Sequence, residues 1–193
     1  MKIVGLITEY NPFHNGHLYH IEQAKDITNA DAVIVVMSGN YVQRGAPAIM
    51  PKHLRAAVAL EAGIDIILEL PVCYAAGSAE YFAAGAVSLF EQLGCVDAIC
   101  FGSECGDYRI LEKLARILAD EPDEYRTLLQ DALRSGMSYP RARQKALRDY
   151  TKDDSLEMIL EQPNNILGIE YIKALYQKKS PIRSYTIKRM VSA

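Results

Sequence analysis

No apolar run in this sequence approaches the roughly 20 residues that a membrane-spanning helix requires, so a transmembrane protein is not expected. The amino-terminal stretch MKIVGLITEYNPFHNGH carries a single Lys and soon meets polar residues. It lacks the longer apolar stretch and small-residue cleavage site of a secretory signal, and the chain reads as soluble and cytoplasmic. Cysteine is scarce. Cys73, Cys95, Cys100 and Cys105 form no CxxC pair and have no His at ligand spacing, which argues against a zinc site and against a disulfide framework. Cys95 and Cys100 flank or lie within an apolar run and are expected to be buried free thiols. Internal repeats and low-complexity segments are also missing.

What remains is material for one domain of generous size. The chain has 193 residues, half of them apolar and 23% charged, which excludes disorder as a description of the whole. Its formal charge of −3 hides an asymmetry. All 24 acidic residues precede Tyr171, whereas Lys173, Lys178, Lys179, Arg183, Lys188 and Arg189 follow it. Such an end is either a solvated basic face or a surface that meets an anion, whether nucleotide phosphates or a nucleic-acid backbone.

Short β-branched runs at 3–7, 32–37, 64–70 and 96–101 are continuous rather than alternating, which predicts strands buried on both faces of a parallel sheet. A fifth, less apolar run spans 182–188. Helix-like stretches lie between them. Leu18, Ile21 and Ala24 repeat at helical spacing after Gly16, Pro51 opens a helix that Gly63 stops, and Ser78 caps one that ends before Gly94. This alternation predicts an α/β fold with a doubly wound parallel sheet. Residues 107–160 break the rhythm with helices at 110–119, 123–134 and 139–150, a helical insertion before the last strand. One further helix is expected over 165–177.

The densest chemical signal is the segment Glu9-Tyr10-Asn11-Pro12-Phe13-His14-Asn15-Gly16-His17, which follows the first strand and opens the first helix. In an open α/β sheet, ligands bind beyond the carboxyl ends of strands. A helix amino end supplies unpaired N–H groups and a positive dipole that favour phosphate. Gly16 permits close backbone approach, and His14 and His17 add two side-chain donors. The competing readings are surface histidines without a role, or zinc ligands with His20 as a third. The distance of every cysteine weighs against zinc, and no metal ligand is assigned.

The motif HNGH at a first strand-to-helix turn resembles the HxGH signature of nucleotidyltransferases related to class I aminoacyl-tRNA synthetases. The blocks GLITEYNPFHNGHLYH, VVMSGNYVQRG, ILELPV, FGSE and QPNNILGIEY together resemble the bacterial tRNA(Met) cytidine acetate ligases. The resemblance implies a Rossmann-like fold and attack by acetate on the α-phosphate of ATP. It further implies transfer of the acetyl group to N4 of the wobble cytidine of elongator tRNA(Met). His14 and His17 would hold phosphates and stabilise the transition state, chemistry that needs positioning and charge stabilisation more than covalent help. A carboxylate nucleophile is already deprotonated near neutral pH and needs no general base. The family's proteins are longer, so this chain would correspond to a catalytic domain lacking their helical region.

Carried over residue by residue, Ile7, Thr8, Glu9, Tyr10, Asn11, Pro12, Phe13, His14, Asn15, Gly16, His17, Leu18, Tyr19 and His20 would wrap the ATP phosphates and ribose. Gly102 would approach the adenosine at a strand end, and Asn164 or Asn165 would hydrogen-bond the nucleotide from a helix start, where Asn is also an ordinary cap. Arg189, with Lys188 beside it, would be a second basic phosphate motif. Ser38, Gly39 and Arg44 follow the second strand at the same sheet edge and are candidate acetate or phosphate contacts. Lys52, His53 and Arg55 are weaker candidates. One of Glu9, Glu69 and Glu104 would help hold Mg²⁺ with the phosphates. Arg134, Arg141, Arg143, Lys145 and Arg148 in the insertion could touch RNA or form a solvated helix face. Two other classes remain open at this stage, a metabolic adenylyltransferase for a phosphorylated substrate and an RNA-binding module with a degenerate nucleotide site.

Overall fold

The computed structural model describes residues 1–153 and 156–189, with Arg44 and Glu157 described by their backbone alone. Strand β1 (Ile3–Thr8) leads into helix α1 (Asn15–Thr28), followed by β2 (Ala32–Ser38), α2 (Lys52–Glu61) and β3 (Ile66–Leu70). A short α3 (Val72–Ala75) and long α4 (Ala79–Leu93) then lead to β4 (Ala98–Ser103). Helices α5 (Tyr108–Asp120), α6 (Asp123–Arg134), α7 (Tyr139–Thr151), α8 (Leu156–Glu161) and α9 (Pro163–Lys178) precede β5 (Arg183–Lys188).

The sheet order is β3-β2-β1-β4-β5, and every pairing is parallel. The chain winds outward from β1 to β3, then returns to the other side of β1 through α4. This reversal leaves a crevice beyond the carboxyl ends of β1 and β4, the place where a doubly wound sheet binds ligands. One face of the sheet buries Ile3, Ile99 and Phe101 against α4, α5 and α9 through Phe82, Phe90, Leu111, Leu114, Ile169 and Ile172. The other buries Val4, Leu6, Val33 and Val35 against Ile21 and Ala24 of α1 and Ala59 of α2. Helices α6 and α7 pair with each other and extend the first core through Tyr125, Leu129, Ala142, Ala146 and Leu147. Among the described residues, no helix is long and apolar enough to cross a membrane.

The punctuation acts through hydrogen bonds. Ser78 accepts from the Tyr81 amide, Asp107 accepts from the Arg109 and Ile110 amides, and Gly94 ends α4 in the left-handed region at φ 67°.

Three expectations are corrected. β3 is not buried on both faces, because it is an edge strand with Ile66 49% exposed, and it starts at Ile66 rather than at 64. Cys95 is exposed ahead of β4 while Cys100 within it is buried, since only the strand residue reaches the core. The basic end is not one surface. Lys173 is buried in ion pairs with Glu80 and Glu170 and Lys178 pairs with Glu91, whereas Lys179 caps the end of α9, Arg183 and Lys188 open and close β5, and Arg189 follows that strand.

Candidate functional site

The β1–α1 turn is built by the two histidines of HNGH. His14 is the N-cap of α1, so the helix begins one residue before Gly16 rather than after it. Its Nδ1 accepts from the Gly16 amide at 3.1 Å, and the His17 Nδ1 accepts from the His14 amide at 3.2 Å. This is a capping box made of two imidazoles. Because each Nδ1 accepts, the proton of the neutral ring sits on Nε2, which is left as a donor. Burial pushes the His17 pKa down to about 3, and the nearby charges of His14, His20 and Arg189 act in the same direction. His20 is pushed down to about 4 by burial, against a backbone hydrogen bond at Cys100, and its buried Nε2 has no partner among the described residues. Tyr10 and Phe13 pack behind this turn, with Tyr10 edge-on to both Phe13 and His17 at 4.9 Å.

A cleft of about 930 Å³ opens in front of it. From the 7–20 segment, residues 7–12, His14, Asn15, Gly16, His17, Tyr19 and His20 line the cleft. Phe13 and Leu18 do not: Phe13 supports Tyr10 from behind, and Leu18 turns to the exposed side of α1. Gly102, Asn164, Lys188 and Arg189 form the opposite wall. The stem of Arg189 lies across Gly102, where a Cβ would come within 3.1 Å of Arg189 Cγ, so the missing side chain makes room for the arginine. Of the asparagine pair, Asn164 lines the cleft. Asn165 is fully buried and ties the β4–α5 loop to α9.

Ser38 and Gly39 are not among the cleft-lining residues. Their carbonyls, together with those of Glu9 and Met50, accept from the guanidinium of Arg55, which is 1% exposed. Arg55, one of the weaker sequence candidates, is thus a buried clamp joining the ends of β1 and β2. The Arg44 side chain lies outside what the structure describes.

The acidic candidates for magnesium are each engaged. Glu9 Oε1 accepts from the Gln43 amide, Glu69 pairs with Lys52, and both Glu104 oxygens accept from the start of α9. Among the described residues, no three His, Cys, Asp or Glu side chains gather where they could hold a metal ion.

Gln43, Phe82, Phe101, Pro163, Leu167, Tyr171 and Ile187 also line the cleft and were missed in the sequence. A signal existed for some of them. Pro163, Leu167 and Tyr171 recur every four residues and share one face of α9 with Asn164. The basic insertion residues are largely self-neutralised: Arg134 pairs with Asp131, Arg143 with buried Glu170, and Lys145 and Arg148 with Asp149.

The family described as HIGH Nucleotidyl Transferase matches residues 1–193. A tRNA(Met) cytidine acetate ligase of Acetivibrio thermocellus is 54% identical over 191 residues, covering 98% of this chain and 46% of the relative. One of Clostridium perfringens is 51% identical over 197 residues, covering 98% and 49% respectively. A crystal structure of Thermotoga maritima TmcAL bound with alpha-thio ATP superposes with a TM-score of 0.96 at 46% identity, covering 99% of this chain and 47% of that one. An apo form of the same protein superposes equally well. The chain therefore spans about half the length of the curated relatives it matches.

Proposed function

The chain belongs to the HIGH nucleotidyl transferase family, and from that premise we propose that its cleft binds ATP and activates acetate for transfer to a cytidine of tRNA(Met). The observation that carries the nucleotide part is the histidine pair. Two imidazoles whose Nε2–H groups are free to donate stand at the amino end of α1, in the same cleft as Arg189. Neutral imidazoles, a helix amino terminus and a guanidinium together form a polyanion cradle.

In this reading a carboxylate oxygen of acetate attacks the α-phosphorus of ATP. The new C–O–P linkage forms as the bond to the β-phosphate oxygen breaks and pyrophosphate leaves. His14 and His17 donate to the phosphoryl oxygens on which charge accumulates. His17 serves as a neutral donor because its depressed pKa keeps it unprotonated across the working range. The N4 amine of the wobble cytidine then attacks the acetyl carbonyl, the acyl–phosphate bond breaks, AMP leaves and N4 loses a proton. The donor set does not fit a protein-held magnesium ion, since Glu69 and Glu104 are used elsewhere and only Glu9 of the three lines the cleft. Any magnesium is left to the phosphate oxygens of the nucleotide. The names of the relatives support tRNA(Met) and acetate as the other substrates.

Acetate-dependent exchange of labelled pyrophosphate into ATP tests the activation step. Exchange that requires acetate and is lost in His17→Ala is the expected result, and exchange supported only by a phosphorylated alcohol would replace acetate with another nucleophile. Incubation with ATP, acetate and unmodified tRNA(Met), followed by mass spectrometry of the wobble nucleoside, tests the transfer.

A further inference from the structure

The β4–α5 loop and the start of α9 hold each other by reciprocal side-chain contacts. Glu104 Oε1 accepts from Asn164 Nδ2 at 2.6 Å and from the Asn164 amide at 3.3 Å, and its Oε2 accepts from the Asn165 amide at 2.8 Å. In return, Asn165 Oδ1 accepts from the Glu104 and Cys105 amides at 2.9 and 3.1 Å. Asn165 is locked in that role because its Nδ2 donates to the Ile159 carbonyl and to Gln162 Oε1. Asn164 then has one oxygen left, and this Oδ1 accepts from Arg189 Nη1 at 3.1 Å.

We infer that Glu104 is a positioning residue for the nucleotide site: it orients the Asn164 amide, and through it the Arg189 guanidinium, across the cleft. Resting on the ATP reading above, this assigns a function to a residue that does not itself line the cleft.

Two features of the chemistry support it. An amide nitrogen only donates and an amide oxygen only accepts, so a carboxylate on the nitrogen side fixes which way Asn164 faces. Glutamate is the residue type that sets Oδ1 toward the arginine, and a neutral side chain with its own N–H groups would allow the amide to turn. Second, the amino terminus of α9 is already occupied. Pro163 has no N–H, the Asn164 and Asn165 amides donate to Glu104, and the Ile166 amide donates to the Gln162 carbonyl. Glu104 takes the place that a helix start would otherwise offer a phosphate. The triphosphate is therefore directed to α1 and Arg189, and Asn164 meets a ligand through its second Nδ2 hydrogen rather than its backbone. Arg189 is held from three sides, by Asn164, by its own amide donating to the Ser103 carbonyl at 2.9 Å, and by the space over Gly102.

The test is a thermodynamic cycle on ATP affinity measured by calorimetry, with thermal unfolding as a check on folding. Glu104→Gln should weaken ATP binding about tenfold, the loss of one charge-assisted contact's worth of orientation. In an Arg189→Met background, where ATP binding is already weaker, the same Glu104→Gln change should have a clearly smaller effect, because the part relayed through that arginine is already lost and only the contact made by Asn164 itself remains to be disturbed. A purely structural role would lower the unfolding midpoint and reduce affinity equally in both backgrounds. Glu104→Asp, which keeps the charge and shortens the reach, provides a second variant with an intermediate loss expected. Unchanged affinity in Glu104→Gln, or an equal loss in both backgrounds, would overturn the inference while leaving the ATP reading intact. Failure of the unsubstituted chain to bind ATP would overturn that reading and the inference with it.

Discussion

His14 and His17 stack with their ring centroids 3.8 Å apart and 24° between their planes, each with Nδ1 accepting from a backbone amide of the turn. Protonating His17 at Nδ1 would break its capping hydrogen bond to the His14 amide and place a cation against the His14 ring. The arrangement therefore ties the integrity of the turn to neutral imidazole.

That coupling predicts acid sensitivity. The folded-state pKa values of His17 and His20, about 3 and about 4, lie below the ordinary value of 6.5. The unfolded chain then binds more protons than the folded one between those limits, so stability is fully present above about pH 6.5 and falls as the pH drops toward 4. Urea midpoints measured from pH 7.5 to pH 4 should show this decline. The His17→Asn, His20→Asn double variant should flatten it, and an unchanged slope in that variant would refute the assignment.

Gly16→Ala separates folding from binding. Alanine is the better helix former, so α1 should persist. Its Cβ would however fall 2.9 Å from His14 Cε1 and displace that ring. Circular dichroism should be unchanged and ATP affinity should drop at least tenfold. Retained affinity would mean that the His14 ring position does not matter.

Arg55→Met should lower stability by about 3 kcal/mol or more, because it strands the carbonyls of Glu9, Ser38, Gly39 and Met50 in a buried setting. Chemical denaturation measures this directly. A loss below about 0.5 kcal/mol, the size of an ordinary surface change, would show that the clamp is dispensable.

Arg143→Ala distinguishes an RNA-facing residue from an internal one. Its partner Glu170 is only 2% exposed, and removing Arg143 leaves that buried carboxylate, among the described residues, with only the longer contact to Lys173, which is itself shared with Glu80. The expected result is destabilisation of about 3 kcal/mol, with no change in the salt dependence of tRNA binding. A reduced salt slope at intact stability would restore the RNA-contact reading.

Much of this was legible in the sequence for identifiable reasons. The first strand and HNGH form one local signal, with the apolar run, the glycine and both histidines within a few positions of each other. β2 and β4 were equally plain, because central parallel strands are apolar throughout. β3 was misread for the same reason: its run of Ile and Leu looks central, and nothing in its composition marks it as the strand left at the edge. Asn164 and Asn165 could not be separated, since both stand in the first turn of the same helix and only the fold brings the Glu104 carboxylate to the Asn164 side chain and the β4–α5 loop backbone to the Asn165 side chain. Phe82, Phe101 and Tyr171 share a wall but arrive from three distant segments, so local pattern could not group them.

The sheet order has a consequence for how the site comes into being. Its left wall, from β1 and α1, is complete within the first 28 residues, whereas its right wall needs β5 to pair with β4 after a crossover through α5 to α9. Closing so long a connection is entropically slow compared with forming the local elements. The histidine pair should therefore be organised early and wait for its arginine, making nucleotide binding a late reporter of folding. Refolding followed by ATP capture should lag behind the recovery of helical signal, and a mutation that weakens β5 should delay the first without delaying the second.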